Sequence, residues 1–65
     1  KMKVGLRIKK IRERNGLSQL NLAKKTGSLN QSQISKIENG QRKIKVDELI
    51  ILSNALNVSL AELMN

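Results

Sequence analysis

A chain of 65 residues allows one domain with a small core. Thirteen Lys and Arg against five Asp and Glu leave a formal charge of +8, which favours a polyanionic partner. The lack of Cys and His excludes disulfides, thiol redox chemistry and the usual zinc sites, and the lack of Trp, Tyr and Phe argues against stacking of single-stranded nucleic acid.

The charge is segregated. All thirteen basic residues fall within residues 1–45, whereas residues 46–65 carry Asp47, Glu48 and Glu62 and no base. A basic face is the reading this favours. Five scattered carboxylates without a histidine offer no acid–base pair, metal cluster or cofactor site, so no enzyme is expected. No apolar run approaches the ~20 residues of a membrane span. The N-terminus alternates basic and apolar residues, unlike a signal peptide, so the expected compartment is the cytoplasm. Lys1 ahead of Met2 reads as a cloning remnant or an internal cut, which leaves room for a longer protein with a further C-terminal domain.

Val4, Ile8 and Ile11 recur at helical spacing and predict a first helix, ended by Asn15-Gly16. Lys3, Arg7, Lys9, Lys10 and Arg14 surround the stripe, and for any single one a solvated face is the ordinary reading. Arg12 differs: it borders the buried stripe and needs a partner if covered.

Ser18 is a good N-cap for a second helix, stopped by Gly27. Asn30 caps a third, with Gln33 at capping-box spacing and Ile34 and Ile37 facing inward. Two short helices joined by a Gly-bearing turn make a helix-turn-helix, and Ala23 is small enough to let the helices cross closely. The recognition helix is then Gln31 to about Asn39. Its outward residues, Gln31, Ser32, Gln33, Ser35 and Lys36, are short, polar and mostly uncharged, as base readout requires. Taken singly, Gln and Ser there are ordinary soluble helix formers; inside a basic chain with both caps present, the set points to DNA. Gln19 opens the preceding helix, where it can hold a phosphate.

Gln41, Arg42, Lys43, Ile44 and Lys45 form a basic loop, in which Arg42 and Lys43, with nearby Asn39, are candidate phosphate contacts. A fourth helix is predicted from Val46 or Asp47 to Leu56, with Asp47 and Glu48 at its positive end and Leu49, Leu52 and Leu56 inward. Asn57 suits a left-handed C-cap. Ser59 and Glu62 predict a capping box for a last short helix bearing Leu60, Leu63 and Met64. Leu6, Leu20 and Ile51 fall off the main stripes.

The ordered set Gly5, Ile8, Ile11-Arg12, Gly16-Leu17-Ser18-Gln19, Leu22-Ala23, Gly27, Ile34-Ser35, Ile37-Glu38 and Gly40 resembles the lambda-repressor-like (Cro, XRE-type) helix-turn-helix family. The resemblance continues through Leu49, Leu52, Ala55-Leu56, Val58-Ser59 and Leu63 and so covers nearly the whole chain. It implies an all-α domain of five short helices, with helices 2 and 3 reading DNA, and dimers on two-fold symmetric operators. It implies base reading by Gln31, Ser32, Gln33 and Lys36, phosphate contacts by Gln19, and a structural ion pair between Arg12 and Glu38. Ser35, Asn39, Arg42, Lys43 and Arg7 complete the candidate phosphate set. A homodimer interface is expected at Leu60, Leu63 and Met64.

Two features depart from the family pattern. The turn Gly27-Ser28-Leu29-Asn30 is one residue longer than usual, which puts the start of the recognition helix in question. Ile44 stands where a proline is common, so the fourth helix loses a rigid lead-in. The leading reading is a bacterial or phage DNA-binding regulator, expected to be a repressor; a restriction-modification controller and an antitoxin are same-family alternatives. A module that binds a partner protein would want an apolar outward face at residues 31–36, and a membrane-surface segment would want one long helix with aromatics.

Overall fold

The computed structural model describes residues 3–65. Lys1 and Met2, and the reading attached to them, lie outside these. Five helices follow in chain order: α1 (Val4–Arg14), α2 (Gln19–Thr26), α3 (Gln31–Glu38), α4 (Val46–Leu56) and α5 (Leu60–Met64). This is the all-α architecture expected, and among the described residues no helix is long and apolar enough to cross a membrane.

Several helix boundaries have a local cause. The Ser18 hydroxyl accepts the Asn21 N–H at 3.0 Å and starts α2, and Gly27 ends it at φ 72°. Asn30 and Gln33 form the reciprocal box that starts α3: Asn30 Oδ1 accepts the Gln33 N–H at 2.8 Å, and Gln33 Oε1 accepts the Asn30 N–H at 2.9 Å. Asn57 takes the left-handed C-cap after α4 at φ 56°. At α5 only half of the expected box forms. Ser59 Oγ accepts the Glu62 N–H, but the Glu62 carboxylate pairs with Arg14 at 2.9 Å instead of reaching back.

The longer turn leaves α3 at the expected start. Within it Ser28 is exposed, whereas Leu29 is buried and ties the turn to the core. The Thr26 hydroxyl pins the turn, donating to the Ala23 carbonyl at 2.7 Å and accepting the Leu29 N–H at 3.0 Å.

One stripe from each helix meets in a common core: Ile8 and Ile11, Leu22 and Ala23, Ile34 and Ile37, Leu52 and Leu56, and Leu63. Leu29 joins from the turn, and Leu49 packs at the margin. Leu63 is thus a correction to the expected subunit interface. It is wholly buried within this chain, because α5 lies against both α1 and α4. Its neighbours Leu60 and Met64 remain exposed, as do Leu6, Leu20, Val46 and Ile50.

Candidate nucleic-acid interface

The α2–α3 unit is anchored from below by a buried ion pair. Arg12 projects from α1, and its Nε donates to Glu38 Oε2 at 2.7 Å while Nη2 donates to Oε1 at 3.0 Å. Nη1 donates to the Leu17 carbonyl oxygen at 2.8 Å, so three of the guanidinium's donors have partners. The hydrogen bond to Glu38 is the main cause that raises the Arg12 pKa above its ordinary value, and burial works against it. Both side chains are nearly covered, at 10% and 1% exposure. Such bidentate geometry offsets the cost of desolvating two charges.

Above this pair, the polar residues of α2 and α3 line one shallow surface depression of about 370 Å³, formed by Gln19, Gln31, Ser32, Ser35, Lys36 and Gln41. Gln31, Ser32 and Lys36 are exposed, whereas Gln19 and Ser35 are half-buried. Gln19 Nε2 donates to Glu38 Oε1 at 3.1 Å, which leaves one amide N–H and the amide oxygen unused. Five of the six lining residues carry no charge and display both donors and acceptors, the chemistry of base edges. Gln41 is absent from the sequence-derived set. Its N–H bonds the Lys36 carbonyl at 2.8 Å and Gly40 adopts φ 74°, which folds the loop back onto α3. The Asn-Gly-Gln string after the helix is the one signal that could have found it.

The remaining expected residues divide. Asn39 is the exposed C-cap of α3, and Lys43 is an exposed loop cation. Gln33 is half-buried and committed by its oxygen to the cap of α3. Arg42 is not a free cation: its guanidinium grips Glu48 through Nη1 at 3.0 Å and Nη2 at 2.6 Å. The same carboxylate accepts the Lys45 N–H at 3.0 Å, which supplies the rigid entry to α4 that a proline would otherwise give. These two bonds, Arg42 first, hold the Glu48 carboxyl below its usual pKa against the effect of burial. Arg7 lies apart from the depression, and its Nη2 donates to the Asn65 carbonyl oxygen after α5. Among the described residues, no group of three or more acidic side chains could hold a metal ion.

A helix-turn-helix family model matches residues 8–63. The chain belongs to the Cro/C1-type helix-turn-helix family. Solved structures of similar shape include the restriction-modification controller protein C.AhdI from Aeromonas hydrophila, which is 34% identical with a TM-score of 0.89 over 94% of this chain and 87% of that one. The P22 c2 repressor, solved in complex with a synthetic operator, is 28% identical with a TM-score of 0.88 over 100% of this chain and 97% of its own. The clp gene regulator ClgR from C. glutamicum shares the fold at 22% identity, with a TM-score of 0.87 over 92% of this chain and 77% of its own. No curated protein sequence matches this family member significantly.

Proposed function

We propose that this helix-turn-helix protein is a sequence-specific double-stranded DNA-binding transcriptional regulator, a repressor that lays α3 in the major groove of a two-fold symmetric operator. The observation that carries the reading is the polar depression shared by Gln19, Gln31, Ser32, Ser35, Lys36 and Gln41 on a strongly basic domain. Gln31, Ser32 and Lys36 read base edges, and Gln33 offers the amide N–H groups that its capping bond leaves unused. Gln19, Ser35, Asn39 and Lys43 contact phosphates and provide most of the affinity. Arg42 and Arg7 are each held by a bond within the fold, to Glu48 and to the Asn65 carbonyl oxygen, and are left out of this set. The protein works in the cytoplasm as a homodimer whose exposed Leu60 and Met64 face the partner copy, with two recognition helices ~34 Å apart.

Support for the class comes from the family itself and from the P22 c2 repressor, which was solved on an operator. Within the class, the similarity to C.AhdI favours a second reading as a restriction-modification controller. Selection of bound duplexes from a random DNA pool tests the proposal. A two-fold symmetric consensus is expected, and the absence of any enriched sequence would overturn it in favour of a protein partner.

A further inference from the structure

We propose that Glu38 is a positioning residue for DNA binding, clamping the side-chain amide of Gln19 so that its nitrogen is fixed before DNA arrives. This rests on the DNA-binding reading above and adds a role to an ion pair otherwise treated as purely structural. Glu38 Oε1 accepts from both Arg12 Nη2 at 3.0 Å and Gln19 Nε2 at 3.1 Å. Arg12 Nη1 meanwhile holds the Leu17 carbonyl, two residues before Gln19. The buried pair therefore grips the entry to α2 by its backbone and by its first side chain.

The chemistry selects one orientation. A glutamine amide can offer either its oxygen or its NH2 to a neighbour, but an ionised carboxylate only accepts. Glu38 therefore takes the nitrogen end. One N–H is occupied, and the second stays available to a phosphate oxygen at the depression. Ordering the side chain in the free protein reduces the entropy lost on binding. Arg12 makes the arrangement compatible with DNA, because its two charge-assisted bonds neutralise a carboxylate that would otherwise repel the phosphates.

The test separates positioning from stability. Arg12→Met combined with Glu38→Met leaves the net charge unchanged and replaces the pair by apolar side chains, an exchange that buried pairs often tolerate. Circular dichroism establishes that this double variant is folded. Its affinity for a mixed-sequence duplex is then measured, since a phosphate contact acts on every sequence. The double variant is expected to bind about 3- to 10-fold more weakly than the parent, the size of one hydrogen bond. Gln19→Ala is expected to weaken the parent similarly and to add nothing in the double variant. Parent-like affinity of the folded double variant, or a full further loss with Gln19→Ala, overturns the proposal while leaving DNA binding intact. Failure of the parent itself to bind overturns the DNA-binding reading, and this inference with it. Should the double variant not fold, NMR relaxation on the unaltered protein decides. The Gln19 side-chain amide is expected to be far more ordered than that of exposed Gln31, and equal mobility overturns the proposal.

Discussion

Gly5 of α1 passes the backbone of Ile37 in α3 so closely that a β-carbon at residue 5 would overlap the Ile37 carbonyl oxygen. The crossing sets α1 against the recognition helix and tolerates no side chain. Gly5→Ala is predicted to destabilise by about 1–3 kcal/mol, the range for an overpacked contact. In an open helix the same change would stabilise by roughly 0.5–1 kcal/mol. The sign of the shift in the urea midpoint, at unchanged slope, decides between them.

Arg12 and Glu38 are worth most when considered singly. Arg12→Met leaves a carboxylate buried without its partner and is predicted to cost about 3–5 kcal/mol. Replacing both residues by Met costs much less. Chemical denaturation of the single and double variants measures the coupling, and equal losses in the two would contradict a buried, mutually dependent pair.

Glu48 makes stability depend on pH on the acid side. Its folded pKa lies below the ordinary value because Arg42 and the Lys45 amide favour the charged form. The unfolded chain therefore binds the proton more readily. The contribution is fully present above the unfolded carboxyl pKa of about 4.3 and is lost as pH falls through it toward the lower folded value. Glu48→Gln is predicted to be less stable than the parent at pH 7, with the gap closing in acid. Thermal melts across the acid range test this, and curves that stay parallel would refute it.

Binding and specificity separate along the proposed interface. Gln31→Ala is predicted to relax base preference by about 1–3 kcal/mol at one position. Lys43→Ala is predicted to weaken all sequences alike and to reduce the slope of log K against log salt by ~0.9, one phosphate contact. Arg42→Ala, by contrast, releases Glu48 and acts on stability through the entry to α4. Salt titrations on matched and mismatched duplexes distinguish these behaviours, and a uniform loss from Gln31→Ala would mean that another residue reads the bases.

At the far end, two neighbouring leucines are predicted to diverge. Leu63→Ala empties a wholly buried site and costs about 2–5 kcal/mol. Leu60→Asp changes an exposed position, leaves the fold intact and weakens self-association. Sedimentation before and after the change measures this, and an unaltered association state would move the interface elsewhere.

Much of this architecture is written in local chemistry. Ser18, Asn30 and Ser59 start helices, and Gly27 and Asn57 stop them, through bonds spanning only a few residues. Arg12 advertised its need for a partner because it adjoins the apolar stripe, and the family pattern supplied Glu38. Contacts that span loops or the whole chain were not legible. Nothing in periodicity ties Arg7 to Asn65, Arg42 to Glu48 or Arg14 to Glu62. Arg7 and Arg42 looked free to meet phosphate, Arg14 looked solvated, and Glu62 looked set to complete a cap. Leu63 looked like its neighbours because five residues are too few to show which side of a helix is covered. Gln41 joined the candidate interface only through the reversal at Gly40.

The central claim is that DNA meets the polar face of α2 and α3. Backbone amide shifts recorded while a selected duplex is titrated into the labelled protein test it most directly. The largest changes are predicted at Gln19, Gln31, Ser32, Ser35, Lys36, Gln41 and Lys43, with Leu60 to Asn65 nearly still. Shifts concentrated on α5 and the end of α4, with residues 31–36 unmoved, would contradict the account.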